Sequence, residues 1–124
     1  MYKFERLEVY QLALDYIDRV YDLAERLPRS EDYNLKSQIT RAATSVALNI
    51  AEGSTGQSDA EQGRFLAMAI RSFLETVACQ HIIQRRGYLK RDDELMLRLE
   101  NEGQTLARKL QAMRRTVLSK DDRP

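Results

Sequence analysis

Apolar and polar positions along the chain repeat with the period of a helix, and they do so in four segments. The first covers about residues 7–27 and is stopped by Pro28, which cannot continue a helix and biases Leu27 out of the helical region. The second begins near Tyr33 or Asn34 and ends in Gly53-Ser54-Thr55-Gly56, where glycine permits a left-handed cap. The third opens at Ser58-Asp59-Ala60-Glu61, which reads as a capping box, and ends at Gly87. The fourth starts behind Asp92 or Asp93 as N-cap and runs to about Leu118. No stretch alternates with a period of two, so no sheet is predicted. Helices over about 34–53, 59–86 and 93–118 after the first, joined by short turns, predict an all-α chain: a single antiparallel up-down four-helix bundle domain over residues 1–124.

The second segment separates its polar residues sharply. At about 100° per residue, Gln38, Arg41, Ser45, Asn49 and Glu52 fall within roughly 80° of arc. Beside them runs an apolar stripe of Leu35, Ile39, Ala42, Ala43, Val46 and Ile50. Uncharged amides and hydroxyls at the edge of a core are expected to lock the bundle or to hydrogen-bond between subunits. The first segment has apolar surface to spare. Leu7, Tyr10, Leu14, Ile17, Tyr21 and Ala24 form one heptad stripe; Val9, Ala13, Tyr16, Val20, Leu23 and Leu27 form a second, and together they cover roughly 200°. One stripe is therefore expected to meet another subunit, with Val9, Ala13, Tyr16, Val20 and Leu23 as the interface. The alternative is that residues 1–6 or the C-terminal tail cover it. The fourth segment has only a narrow seam of Leu95, Leu99, Leu106, Leu110, Met113 and Val117, interrupted by Glu102 and Gly103, where glycine marks a close approach or a bend.

Charge alters this picture in one respect. The net charge of +1 conceals seven Lys and Arg against eleven Asp and Glu in residues 1–62, and thirteen against eight in residues 63–124. Arg85, Arg86, Lys90 and Arg91 gather at the third turn. Arg108, Lys109, Arg114 and Arg115, with Lys120 and Arg123, crowd the last segment. Arg85, Arg86, Lys90, Arg91, Arg108, Lys109, Arg114 and Arg115 are the candidates for phosphate contact, and Asp92, Asp93, Glu94, Asp121 and Asp122 dilute both clusters. The first twenty residues carry too many charges for a signal peptide, and no run of about 18 apolar residues suggests a membrane span. The lone Cys79 permits no internal disulfide and fits a reducing cytoplasm as a small buried hydrophobe.

Catalytic constellations fail on geometry. Cys79 and His81 point about 160° apart on one helix, which excludes an intrachain dyad. His81 has Ala78, not Glu, three residues before it, so the Glu-x-x-His of di-iron bundles is missing. In projection it falls between Val77 and Leu74, on the arc of Leu66, Ile70 and Phe73, and is expected to be at least partly buried. Gly53-Ser54-Thr55-Gly56 has the spelling of a phosphate loop but neither the Lys nor the strand, and a turn explains it. Glu52 and Glu75 are expected to pair with Arg41 or Arg71 rather than act as acids. The expectation is a non-enzyme with no catalytic residues, cofactor, metal, membrane or small-molecule substrate.

Phe4, Leu7, Val9, Tyr10 and Ala13, then Leu35-x-x-Gln38-Ile39-x-Arg41-Ala42-Ala43-x-Ser45-Val46-x-x-Asn49-Ile50-Ala51-Glu52-Gly53, then Phe65-Leu66-x-x-Ala69-x-x-Ser72-x-x-Glu75 and Gly87-Tyr88-Leu89 carry a resemblance. Over about residues 4–89 the chain resembles the four-helix bundle family named for proteins encoded in 23S ribosomal RNA intervening sequences. The resemblance implies a bacterial cytoplasmic protein, without known enzymatic activity, that forms a homo-oligomeric ring, commonly a pentamer. A related branch, the accessory protein of diversity-generating retroelements, binds nucleic acid and a reverse transcriptase through basic ring surfaces. The chain departs from many relatives at Ala47, where they carry Pro, and in its weak net charge. The expected function is an oligomeric interaction module that meets structured RNA or a ribonucleoprotein through the basic residues of the third and fourth helices. The alternative is a protein-binding scaffold with no nucleic-acid role.

Overall fold

Proline, glycine and capping side chains fall between helices in the computed structural model, which describes residues 1–56 and 58–120. Among these residues there are four α-helices, α1 (Glu8–Glu25), α2 (Leu35–Gly53), α3 (Asp59–Arg85) and α4 (Glu94–Lys120), two 3-10 turns at Lys3–Arg6 and Arg29–Glu31, and no strand. Asp121, Asp122 and Arg123 lie outside the described residues.

Local chemistry accounts for the boundaries. The Ser58 hydroxyl accepts a bond from the Glu61 amide at 3.1 Å, but the Glu61 carboxylate turns to Arg64 instead of closing the box. At the other end of α3, Gly87 takes a φ of 78° while its amide bonds the Gln84 carbonyl and the Tyr88 amide bonds the Ile83 carbonyl. This is a complete Schellman motif, which requires the left-handed residue that glycine supplies. Asp93 Oδ1 accepts from the Leu95 amide at 2.9 Å and so caps α4. Gly53 departs from its expected role as a cap. It stays helical and buried, and a Cβ there would sit 2.7 Å from Phe65 Cβ, so the glycine lets α2 and α3 close together.

Each helix packs on its neighbour in the chain, and α1 also packs on α4, while α1 and α3 face each other diagonally without backbone proximity. Polar contacts match the ends that meet. Arg26, after α1, makes two bonds of 3.0 and 2.8 Å to Asp93, before α4. Lys109 pairs with Glu8 at 3.2 Å, and Arg114 Nε donates to the Gly63 carbonyl at 3.3 Å.

The core corrects the expectation for the first helix. Val9, Ala13, Tyr16, Val20 and Leu23, assigned above to a subunit interface, are at most 4% exposed within this one chain. The outer stripe is the other one, with Leu14 37% and Tyr21 48% exposed and Leu7, Tyr10 and Ile17 half-buried. Spacing could not rank the two stripes because both repeat at the same interval. The tertiary partners decide, since Tyr16 finds hydrogen bonds inside the bundle.

Those partners lie on α3, whose buried stripe is Leu66, Ala69, Phe73, Thr76, Gln80 and Ile83. The Thr76 hydroxyl donates to the Phe73 carbonyl at 2.5 Å, so the Tyr16 hydroxyl, 2.7 Å away, must donate to Thr76. The phenol oxygen is then left to accept from Gln80 Nε2 at 2.9 Å. The chain of bonds has one direction, which fixes the amide orientation that diffraction alone rarely shows. Thr76 and Gln80 stand at heptad intervals within an apolar stripe, a signal that the sequence contains. His81, by contrast, is exposed. Leu74, on the arc expected to bury His81, is 57% exposed, and Ile82 beside His81 is 47% exposed, so an apolar residue on this helix is no guide to the buried side. Their outward face also makes α3 the one described helix long and apolar enough by composition to cross a membrane.

Along α4 the expected seam is present. Leu99, Leu106, Leu110 and Val117 are buried with Met96. Gly103 is the close approach: a Cβ would lie 3.1 Å from both Tyr16 Cε1 and Phe73 Cε1.

Candidate functional site

The polar stripe of α2 divides into an inner and an outer part. Ser45 and Asn49 face α3, where the Ser72 hydroxyl donates to Ser45 Oγ at 3.0 Å and Asn49 Nδ2 donates to the Ser45 carbonyl and hydroxyl at 2.9 and 3.0 Å. The Ser72–Ser45 bond crosses between the helices beside a groove of about 360 Å³, lined by Ser45, Asn49, Met68, Arg71, Ser72 and Glu75. The outer part, Gln38, Arg41 and Glu52, is exposed. Gln38 donates to Asn34 Oδ1 at 3.2 Å.

Charges in the groove stay open. The pairing expected of Glu52 and Glu75 with Arg41 or Arg71 does not occur among the described residues, where the ion pairs join other side chains. Around this unpaired quartet stand Leu48 at 62%, Met68 at 41%, Leu74 and Ile82, all exposed. Helices α2 and α3 thus present an apolar surface with two cations and two carboxylates on it.

The eight basic candidates do not form one surface. Arg85, Arg86, Lys90 and Arg91 are exposed at the α3–α4 turn, and none enters an ion pair among the described residues. Arg108 lies roughly 20 Å further along α4 at 1.5 Å per residue. Arg108 and Arg115, seven residues apart, share its outer face. Lys109 and Arg114 are drawn to either side by Glu8 and the Gly63 carbonyl. Their partners are distant in the chain, so a sequence cluster became two free and two engaged groups.

Among the described residues no three of His, Cys, Asp and Glu converge in a way that could hold a metal ion. Cys79 is buried, and burial, assisted by the Glu75 charge, pushes its thiol pKa up, away from the reactive thiolate.

The sequence profile described as "23S rRNA-intervening sequence protein" matches residues 5–112. Among solved structures, the chain is similar to a Bacteroides thetaiotaomicron protein described as of unknown function from the S23 ribosomal protein family. The two superpose with a TM-score of 0.75 at 24% identity, over 85% of this chain and 96% of that one. At that identity the likeness concerns the fold. No curated protein shows a significant match.

Proposed function

The chain belongs to the 23S rRNA-intervening sequence protein family, and from that premise we propose that it is a non-enzymatic, self-associating module of the cytoplasm, built as an antiparallel up-down bundle whose α2–α3 face is the subunit contact. The observation that carries this reading is the surface on which exposed Leu48, Met68, Leu74 and Ile82 surround Arg41, Glu52, Arg71 and Glu75. A surface bearing both signs of charge complements a second copy of itself, because the carboxylates of one subunit can take the guanidinium groups of the next. In the ring, commonly of five subunits, that the family resemblance implies, the contact is head-to-tail, the α2 edge of this face on one subunit meeting the α3 edge on the next.

Light scattering coupled to size exclusion tests it. The purified protein is expected to run as an oligomer, and Met68→Arg with Leu74→Arg is expected to yield monomers of unchanged helicity. Burying the added charges weakens association by about 3 kcal/mol or more, roughly a hundredfold. A monomeric parent, or an unchanged mass for the double variant, overturns the assignment.

A second observation favours RNA as the partner over a protein. Four exposed cations, Arg85, Arg86, Lys90 and Arg91, stand at one end of the bundle and enter no ion pair among the described residues. A ring multiplies this weak cluster, and linked phosphate contacts gain by avidity. Nuclease-sensitive material that co-purifies and is released as salt rises is the expected result. Neutralising the four to Gln is expected to abolish it at unchanged oligomer mass. An oligomer free of nucleic acid supports the protein-scaffold alternative instead.

A further inference from the structure

A second cavity lies away from the α2–α3 face, in the cleft between α3 and α4. Its volume is about 270 Å³, and it is lined by Tyr16, Phe73, Val77, Gln80, His81, Leu99, Glu100, Gly103, Gln104 and Ala107. An engineered cavity of about 150 Å³ holds benzene, so this one has room for a substituted ring. One residue choice shapes it. Glycine within a helix costs about 1 kcal/mol relative to alanine, and at Gly103 the missing side chain lets the α4 backbone close onto the Tyr16 and Phe73 rings that line the cleft.

The polar side chains set deepest in the cleft offer acceptors, whereas His81 and Gln104, which can donate, are exposed. Gln80 is 3% exposed, and its Nε2 is committed to the Tyr16 hydroxyl by the one-way chain of bonds through Thr76 to the Phe73 carbonyl. Its Oε1, on a side chain that lines the cavity, has no donor from the described residues. Glu100, half-buried on α4 across the cleft from Gln80, lines the same cavity and accepts one bond of 3.3 Å from Gln84 through Oε1. A buried amide carbonyl and a carboxylate, set beside Phe73, Val77, Leu99 and Ala107, ask for a ligand with a flat apolar body and N–H donors on one edge. An anion of the same shape meets like charge and a lone pair.

We propose that the α3–α4 cleft binds a small planar molecule that presents N–H donors, of the aryl amidine or aromatic amine class, with Gln80 Oε1 and Glu100 as its acceptors. This site shares no residue with the subunit contact and stands or falls independently of it.

The test is a heteronuclear NMR titration of the full chain with benzamidine, with benzoate as the anion of matching shape and toluene as the apolar body alone. Benzamidine is expected to shift the amides of Gln80, Gly103 and Ala107 saturably, and to bind about tenfold or more tightly than either comparator, the scale of a charge-assisted hydrogen bond. Gln80→Leu removes the acceptor and is expected to reduce the affinity about tenfold. Ala107→Phe, which fills the mouth and leaves the Tyr16 bonds alone, is expected to abolish binding and keeps the test valid if the first variant fails to fold. Absence of saturable shifts, equal binding of benzoate or toluene, or benzamidine binding that survives Ala107→Phe overturns the proposal.

Discussion

Val20→Glu is expected to leave no folded protein, whereas Leu14→Glu, six residues away on the same helix, is expected to be tolerated. Val20 has no exposed surface, and every direction from its side chain leads into packed core. A carboxylate placed there has no cation to meet, and an unpaired charge at such a site costs several kcal/mol even after it takes up a proton. Domain stabilities of about 5–15 kcal/mol do not absorb that together with the lost apolar burial. Leu14 is 37% exposed on the outer stripe, where substitutions change stability by about 0.5 kcal/mol. Circular dichroism and light scattering separate the outcomes. A Val20→Glu protein that stays helical and merely becomes smaller would return this stripe to a subunit interface and overturn the core described here.

Raising the pH from 10 to 12 is expected to remove about 2 kcal/mol of stability through Tyr16 alone. Burial pushes the phenol up to about 12 from its ordinary 10.0, more than the bonds from Thr76 and Gln80 lower it. The fold therefore favours the neutral phenol. Its contribution is complete below pH 10, where the unfolded chain also keeps the proton, and drains away as pH rises through the folded value. Tyr16→Phe loses the hydroxyl at every pH and strands the Gln80 amide, a cost of about 1–3 kcal/mol. Its denaturant midpoint is expected to be lower at neutral pH and flatter across the alkaline range. Parallel alkaline profiles for the parent and Tyr16→Phe would remove Tyr16 as the cause.

Helix ends were legible because their causes are local. Pro28, Ser58, Gly87 and Asp93 each act within a few residues of themselves. The inward role of Ser45 and Asn49 was legible as well, since a polar residue beside an apolar stripe has few places to go. Facing is a different matter. The two stripes of α1 have the same spacing, and only Thr76 and Gln80, some sixty residues on, distinguish them. The α3–α4 cleft was hidden for the same reason. Its members come from three helices, and its one local sign, Gly103, reads equally as a bend. Lys109 and Arg114 looked free until Glu8 and the Gly63 carbonyl, at the far side of the fold, came within reach.

The bonds from Gln80 through Tyr16 and Thr76 have a further effect on how the helices align. Apolar stripes that repeat every seven residues fit almost as well after one helix slides past another by a heptad, roughly 10 Å. A slide of that size on α1 against α3 would set the phenol opposite Phe73 and Ala69 in one direction and Ile83 in the other, where nothing receives its proton. Because α1 and α3 are diagonal, no other backbone proximity keeps them in step. A single tyrosine reaching across the bundle thus acts as an index mark, like the lone buried asparagine of a coiled coil, excluding shifted alignments that hydrophobic packing alone would accept.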